Sequence, residues 1–407
     1  MQAFLFRNAT VFTGSQFLPN AHVRVAGGRI TDVTTEPTAD ASADETVVDL
    51  AGDYLTPGLV DLQLYGGSNL FLNEFPTPDT VRHIYHTHAQ NGTTTLLPTI
   101  HSTSLAIMQQ AMAAVRIVRA ENPFGVPGIH LEGPYFNPVK RGAHSPAYVR
   151  TPAPGELEAL FSQNADVIRI LTLAPEILTA EQLAYINAHK HADTHLSLGH
   201  SNATYRQATD AFTDGRISLA THLYNAMRGY ESREPGVVGA VFDHPTVRAS
   251  IIADGHHCDP ATIRIAHRLL GPDRLFLISD ALFANPPRPD FALGQFVVRY
   301  QPAAEFTAAV DSARSGVPAV DSGGRGGFGC YVNDEGKLAG SAVTLADCVR
   351  TAVERVGLPL ADALRMATQT PADAVGLGEQ LGRIAPGYGA NLVQFDKALA
   401  VKQVWLV

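Results

Sequence analysis

The sequence predicts an α/β fold: a (β/α)8 TIM-like barrel with a small β-sandwich domain built from both chain termini. Three observations predict it. Eight apolar, β-branched runs follow one another through the middle of the chain, and segments of helical periodicity separate most of them. Both chain ends read instead as short strands bounded by turn residues. Polar residues with metal or proton chemistry stand at the ends of successive apolar runs, where the loops of such a barrel converge.

At the N-terminal end, strands are expected at Ala3–Phe12, His22–Val25, Arg29–Thr34 and Glu45–Leu50, with Gly27-Gly28 as a tight hairpin signal. Leu381 to Val407 supplies the returning strands GRI, ANLVQFD and VKQVWLV. Residues 1–54 together with 381–407 therefore form the β domain, and residues 55–380 the barrel. The barrel strands fall at Leu59–Leu64, Thr93–Pro98, Gly128–Leu131, Val167–Leu173, His195–Gly199, Ile217–His222, Ala249–Ala253 and Leu275–Ser279. Thr103–Glu121, Ala180–His191, Ala203–Thr213 and Pro260–Leu270 read as helices between them. Gaps of this size suit a barrel that uses about 30 residues per strand–helix unit. Asn285 to Gly329 is less regular, with a strand at Gly294–Tyr300 and a glycine-rich stretch at 322–329. That stretch lacks the lysine and the following helix of a phosphate-cradling loop, so it reads as a hairpin or lid. Leu345–Val356 and Leu360–Gln369 are helical and complete the barrel.

Composition excludes several classes. A chain of 407 residues exceeds what one compact core usually holds, which fits one large domain plus a small one. With 45% apolar and 17% charged residues it reads as a globular enzyme. A net charge of −9 argues against a nucleic-acid-binding surface. No apolar run is long enough for a bilayer span, so no membrane partner is expected. The N-terminal MQAFLFRNATVFTG reads as a strand and not a signal peptide. Three scattered cysteines, Cys258, Cys330 and Cys348, read as reduced thiols, giving a cytoplasmic expectation.

The strand ends carry Gln63, Thr99, Glu132, Glu176, His200, His222, Asp254 and Asp280. Taken alone, either histidine is more simply a hydrogen-bonded core residue. Together with Glu132 they make one carboxylate and two imidazoles, a normal catalytic ligand set for zinc that leaves a coordination position open. Such an ion lowers the pKa of its water to near 7 and polarises a carbonyl. Asp280 can take a proton from that water and return it to a leaving amine. The set describes a hydrolase of an amide or related C–N bond. His83, His86 and His88 lie in a helix, and His189 and His191 near a helix end; both groups are expected to face solvent.

LTPGLVDLQLYGG, GIHLEGPYFNPVKRGAH, LGHSNAT, THLYNAM, REPG, IIADGHH, SDA and LAGSAVT, in this order along nearly the whole chain, resemble the N-acetylglucosamine-6-phosphate deacetylases of the amidohydrolase superfamily. The resemblance implies hydrolysis of N-acetyl-D-glucosamine 6-phosphate to D-glucosamine 6-phosphate and acetate, a phosphorylated amino-sugar substrate, and a homodimer. It also implies one divalent metal ion per subunit, zinc first, with iron, cobalt or nickel also suited by the ligand types. Many relatives in the superfamily carry His-x-His after the first strand and bind two metals. Here Gln63-Leu64-Tyr65 stands in that place, which resembles the one-metal branch. By the same resemblance Asp280 is the general acid/base. His144, Asn225, Ala226, Arg233 and His257 match positions that hold the sugar phosphate, with Arg233 offered to the neighbouring subunit. His256 takes no role.

After Asp280 the chain departs from the family, with SDALFANPPRPD and a longer segment before LAGSAVT. That region borders the sugar and its acyl group. Another N-acetylhexosamine phosphate or N-acyl substrate therefore stays open. So does a different amidohydrolase, or a barrel that binds an amino sugar without turning it over.

Overall fold

The computed structural model describes residues 3–36, 41–284, 286–303 and 327–406. Most of the glycine-rich stretch, residues 322–326, lies outside the described residues. The chain opens with β1 (Ala3–Phe12), β2 (Phe17–Ala26), β3 (Arg29–Thr34), β4 (Glu45–Asp49) and β5 (Tyr54–Pro57). Gly27 and Gly28 join β2 to β3 with φ of 60° and 76°, the left-handed pair that a two-residue hairpin needs.

The barrel follows as β6 (Leu59–Leu64), β7 (Thr93–His101), β8 (Ile129–Glu132), β9 (Ile168–Leu173), β10 (His195–Leu198), β11 (Leu219–Ala220), β12 (Arg248–Ile252) and β13 (Leu275–Ile278). These eight strands pair in chain order, and every pair is parallel. The expected strands are all present. β7 runs three residues past Pro98, and β11 is shorter than expected. The ring closes just beyond the strands: the Asp280 N–H donates to Gln63 O at 3.0 Å and the Tyr65 N–H to Ala281 O at 2.8 Å.

Side chains alternate as a pleated strand requires. In β6, Val60 and Leu62 point into the barrel with Leu97, Ile170, Leu219, Ile252, Phe276 and Ile278. Leu59 points outward into the larger core beneath the helices, and Leu64 joins it there because the β6–β7 register shifts between Asp61 and Leu64. Those helices start where the sequence offers a cap. Ser104 caps Leu105–Glu121, Asp259 caps Pro260–Arg274, and Thr179 and Thr204 form capping boxes with Gln182 and Gln207.

Between the last barrel strand and the final helices lies an antiparallel meander: β14 (Asp290–Leu293), β15 (Phe296–Gln301), β16 (Cys330–Asn333) and β17 (Leu338–Ser341). Of these strands only β15 falls in a stretch read as extended from sequence. The meander packs Phe291, Leu293, Val298 and Tyr331 against Tyr65, Phe71, Leu282 and Phe283 beside the barrel mouth. The chain ends with β18 (Leu392–Phe395) and β19 (Val401–Trp405). They join β5 and β1 in a seven-stranded sheet of order β19-β18-β5-β1-β2-β3, with β4 also on β1. This is the sheet expected from both ends, except that GRI (382–384) forms no strand of its own. Phe6, Val11, Val23, Ile30, Leu55 and Leu392 form its core, with Trp405 edge-on to Phe6 at 4.8 Å.

Gly66 stands at the barrel seam. A Cβ there would lie 2.3 Å from Leu282 O and 2.8 Å from Leu70 O, both backbone atoms that cannot swing away. Gly66→Ala is therefore expected to destabilise the protein by roughly 2 kcal/mol, the scale of forced overpacking. A shifted denaturant midpoint with an unchanged slope would register it; no shift would mean that the seam is looser than the contacts describe.

Candidate active site

Glu132 ends β8, and its carboxylate is buried at the barrel mouth with 1% exposure. Oε1 lies 3.2 Å from His200 Nε2 and 3.0 Å from His222 Nε2, and these two nitrogens are 3.1 Å apart. Oε2 accepts the Tyr65 hydroxyl at 2.5 Å and faces His144 Nε2 at 3.3 Å. Gln63 Nε2 lies 3.0 Å from Glu132 Oε1 and 2.8 Å from Asp280 Oδ1. One amide thus links the two carboxylates across the barrel seam.

The donor set fits a cation. His200 Nδ1 is 3.0 Å from Lys140 O, a contact that only an N–H can make, so the Nε2 lone pair faces Glu132. A nitrogen lone pair and a carboxylate oxygen at 3.2 Å repel unless positive charge lies between them. Glu132, His200 and His222 are all buried, and their ligand atoms lie within 4.8 Å of one another. His101, Glu132 and His144 form a second such group. In the place of the superfamily's His-x-His stand Gln63 and Tyr65, both held to the carboxylates.

The charges shape each other. Burial alone would raise the Glu132 carboxyl, but the imidazoles of His144, His200 and His222 outweigh it and hold it well below the usual range. For Asp280 the balance runs the other way. Burial, then the Glu132 charge, push it up against the pull of His222, His257 and Tyr65. Two nearby carboxyls with opposed shifts are the arrangement that lets one stay anionic while the other exchanges protons. Burial also lowers His101 and His144, which keeps both rings neutral.

The backbone is unusual at the same places. His200, His222 and Asp280 have φ of 49°, 35° and 54°. Left-handed backbone is rare for residues other than glycine, and here it falls on three strand ends.

A cleft of about 220 Å³ holds these groups together with Asn225, Ala226 and His257. His144 is less a loop residue than the motif suggests: it is 2% exposed, stacked at 3.4 Å on His101 and set against Glu132. Arg233 is exposed and does not line this cleft. Glu234, one of its sequence-adjacent acids, instead accepts the Tyr205 and Gly236 N–H groups. Glu176 is not at the centre. It accepts from Asn137, Ser201 and Asn202 and so clamps the loop after β10. Thr99 Oγ1 accepts the Leu64 N–H, a structural bond.

Sequence reasoning missed His101, because Pro98 reads as a strand end while the strand runs on. It gave no role to Tyr65, although Tyr65 sits two positions beyond Gln63 and so on the same face. Lys337 to Gly340, from the meander, also line the cleft; Leu338–Gly340 open the LAGSAVT motif, to which the sequence reading assigned no site residue. Of the histidines expected to face solvent, His86, His189 and His191 are exposed and His83 half-buried. His88 corrects that expectation: it is fully buried, with Nε2 2.9 Å from Gly66 O, because its helix face packs against the seam.

The model of the amidohydrolase family matches residues 54–406. Among curated relatives, an N-acetylgalactosamine-6-phosphate deacetylase from Shewanella sp. (strain ANA-3) is 35% identical over 98% of this chain and 93% of its own length. An N-acetylglucosamine-6-phosphate deacetylase from Haemophilus influenzae is 33% identical over 95% and 94%. Among solved structures, N-acetylglucosamine-6-phosphate deacetylase from Pasteurella multocida superposes with a TM-score of 0.86 at 31% identity, covering 99% of this chain and 98% of that one. With residues 54–406 matched and full-length relatives above 30% identity, this chain belongs to the amidohydrolase family and resembles the N-acetylglucosamine-6-phosphate deacetylases from end to end.

Proposed function

We propose that this chain hydrolyses N-acetyl-D-glucosamine 6-phosphate to D-glucosamine 6-phosphate and acetate. The observation that carries the reading is the convergence of Glu132, His200 and His222 beside Asp280, in a cleft that also contains His257 and Asn225. Glu132, His200 and His222 would hold one divalent ion, zinc first among the candidates. When bound, that ion supplies an acidified water and polarises the acyl carbonyl. Asp280 takes the proton from the attacking water and delivers it to the departing amine, with Gln63 and Tyr65 holding its carboxylate in place. His144 serves the acyl end in this reading. Its Nδ1 faces the Ser102 N–H at 3.3 Å and the Ser102 hydroxyl at 2.7 Å; with Nδ1 accepting from both, the ring proton sits on Nε2 and donates to the carbonyl oxygen. His257, Asn225 and the backbone at Ala226 hold the phosphate, and Arg233 reaches the cleft of a second subunit in a homodimer. A cytoplasmic location and the division into residues 1–54 plus 381–407 and 55–380 belong to the same proposal.

A second reading differs only in the sugar. The 35% identical relative and a 31% identical one from Escherichia coli O157:H7 are both named for N-acetylgalactosamine 6-phosphate, the C4 epimer.

Three outcomes check the proposal. Acetate release should be much faster from a 6-phosphorylated N-acetylhexosamine than from unphosphorylated N-acetylglucosamine, and comparing the gluco and galacto phosphates assigns the sugar. No acetate from any of the three would reject a deacetylase. Asp280→Asn is expected to lower kcat by roughly 10³-fold with metal content unchanged, on the scale of a lost general acid/base; near wild-type turnover would remove Asp280 from that role. Glu132→Gln is expected to lower bound metal at least about tenfold by elemental analysis after dialysis, since it removes the anionic ligand. Full metal content in that variant would place the ion elsewhere.

A further inference from the structure

Asp254 follows β12 at the barrel mouth, and no step of the hydrolysis uses it. It is fully buried. Its Oδ1 accepts the backbone N–H groups of His256 and His257 at 2.9 Å each, and its Oδ2 lies 2.7 Å from His257 Nδ1. The carboxylate therefore folds the turn and grips the ring three residues on. His257 is 6% exposed and lines the cleft with Asn225 and Ala226, while Nε2 makes no hydrogen bond among the described residues. A buried carboxylate is costly unless it is paired and hydrogen-bonded. Here its partner is a ring whose other nitrogen is left for the cleft.

We propose that Asp254 is a positioning residue for substrate binding: through Nδ1 it holds His257 as an imidazolium that presents Nε2–H to the phosphate group. The inference rests on the phosphorylated-sugar reading above. An imidazolium is a charge-assisted donor to phosphate, whereas a neutral ring is an ordinary one. The other charged and titratable groups around this pair include Asp280, His256, Cys258, Cys330 and Cys348. The Arg355 guanidinium lies against Gly255 in the same turn. His222 and Lys337 line the same cleft.

The pH dependence has a definite sign. Burial by itself would lower the His257 imidazole, but Asp254, with a smaller contribution from Asp280, raises it above its ordinary value. The ring is then charged below that raised value, and phosphate affinity falls as pH rises through it.

The test is Asp254→Asn in the metal-loaded enzyme. Asn Oδ1 can keep both backbone bonds, while Nδ2–H faces Nδ1, which must then accept and leave the ring neutral. KM for the phosphorylated sugar should rise roughly tenfold, the scale of one lost charge-assisted contact. kcat should stay within about threefold, and KM for unphosphorylated sugar should not move. The pH above which KM rises should fall by at least about one unit. Nitrogen-15 NMR of the wild-type ring gives a readout that does not depend on the variant folding: both ring nitrogens should stay protonated above the ordinary imidazole range. An unchanged KM and pH profile overturns the inference, as does a wild-type ring that is neutral at pH 7. An equal loss of kcat on both sugars makes Asp254 purely structural and also overturns it. A wild-type enzyme that does not distinguish phosphorylated from unphosphorylated sugar fails at an earlier point, since it removes the phosphate reading itself.

Discussion

The Glu132 carboxylate is the group on which the barrel mouth depends. It is a buried negative charge at the end of a central strand, and such a charge persists only when donors or cations surround it. Its two oxygens divide the site. Oε1 faces His200 and His222, the side suited to a metal ion. Oε2 faces Tyr65 and His144, the side turned toward the acyl group in the proposed reaction. Asp280 sits within reach of the same field, and its raised proton affinity owes part of its size to Glu132. Removing Glu132 would thus disturb the proposed ligand set and the proposed proton carrier together.

The seam of the barrel and the proposed chemistry share residues. Gln63 and Asp280 close the ring through their backbones and meet again through their side chains. The meander is tied to this seam: the Ser341 N–H donates to Asp280 O at 2.9 Å and its hydroxyl to Ser279 O at 2.5 Å. The wall of the cleft that carries Lys337 to Gly340 is therefore held to the strand that carries Asp280. The terminal sheet stands apart from this arrangement and packs its own core around Phe6 and Ile30.

Much of this was legible because barrels separate packing from chemistry along the chain. Each buried parallel strand is a short apolar run, and the first polar residue after it stands at the mouth. That rule singled out Gln63, Glu132, His200, His222 and Asp280, and the structure brings these five together at the mouth. It failed where local signals mislead. Pro98 is tolerated inside β7, so the strand runs on to His101 at the cleft, beyond the end its sequence suggests. The meander strands are short and interrupted, and their apolar residues face a core supplied by distant segments such as Phe71. The depth of His144 depends on how its loop folds back over Glu132, which no periodicity encodes. Arg233 shows the opposite limit. It is exposed on a single chain, and its proposed use requires a second one.

The left-handed backbone at His200, His222 and Asp280 has a consequence for how this protein can be improved. Each of the three carries a conformational cost of order 1–3 kcal/mol that a glycine would largely avoid. The mouth therefore stores tension that the barrel walls and helices must withstand. A search for sturdier sequences that scores folding alone will drift toward glycine at these three positions. It will arrive at a tougher protein without the two imidazoles and the carboxylate on which the proposed chemistry rests. Durability for this enzyme has to be sought in the helices and the terminal sheet, leaving the strained rim as it is.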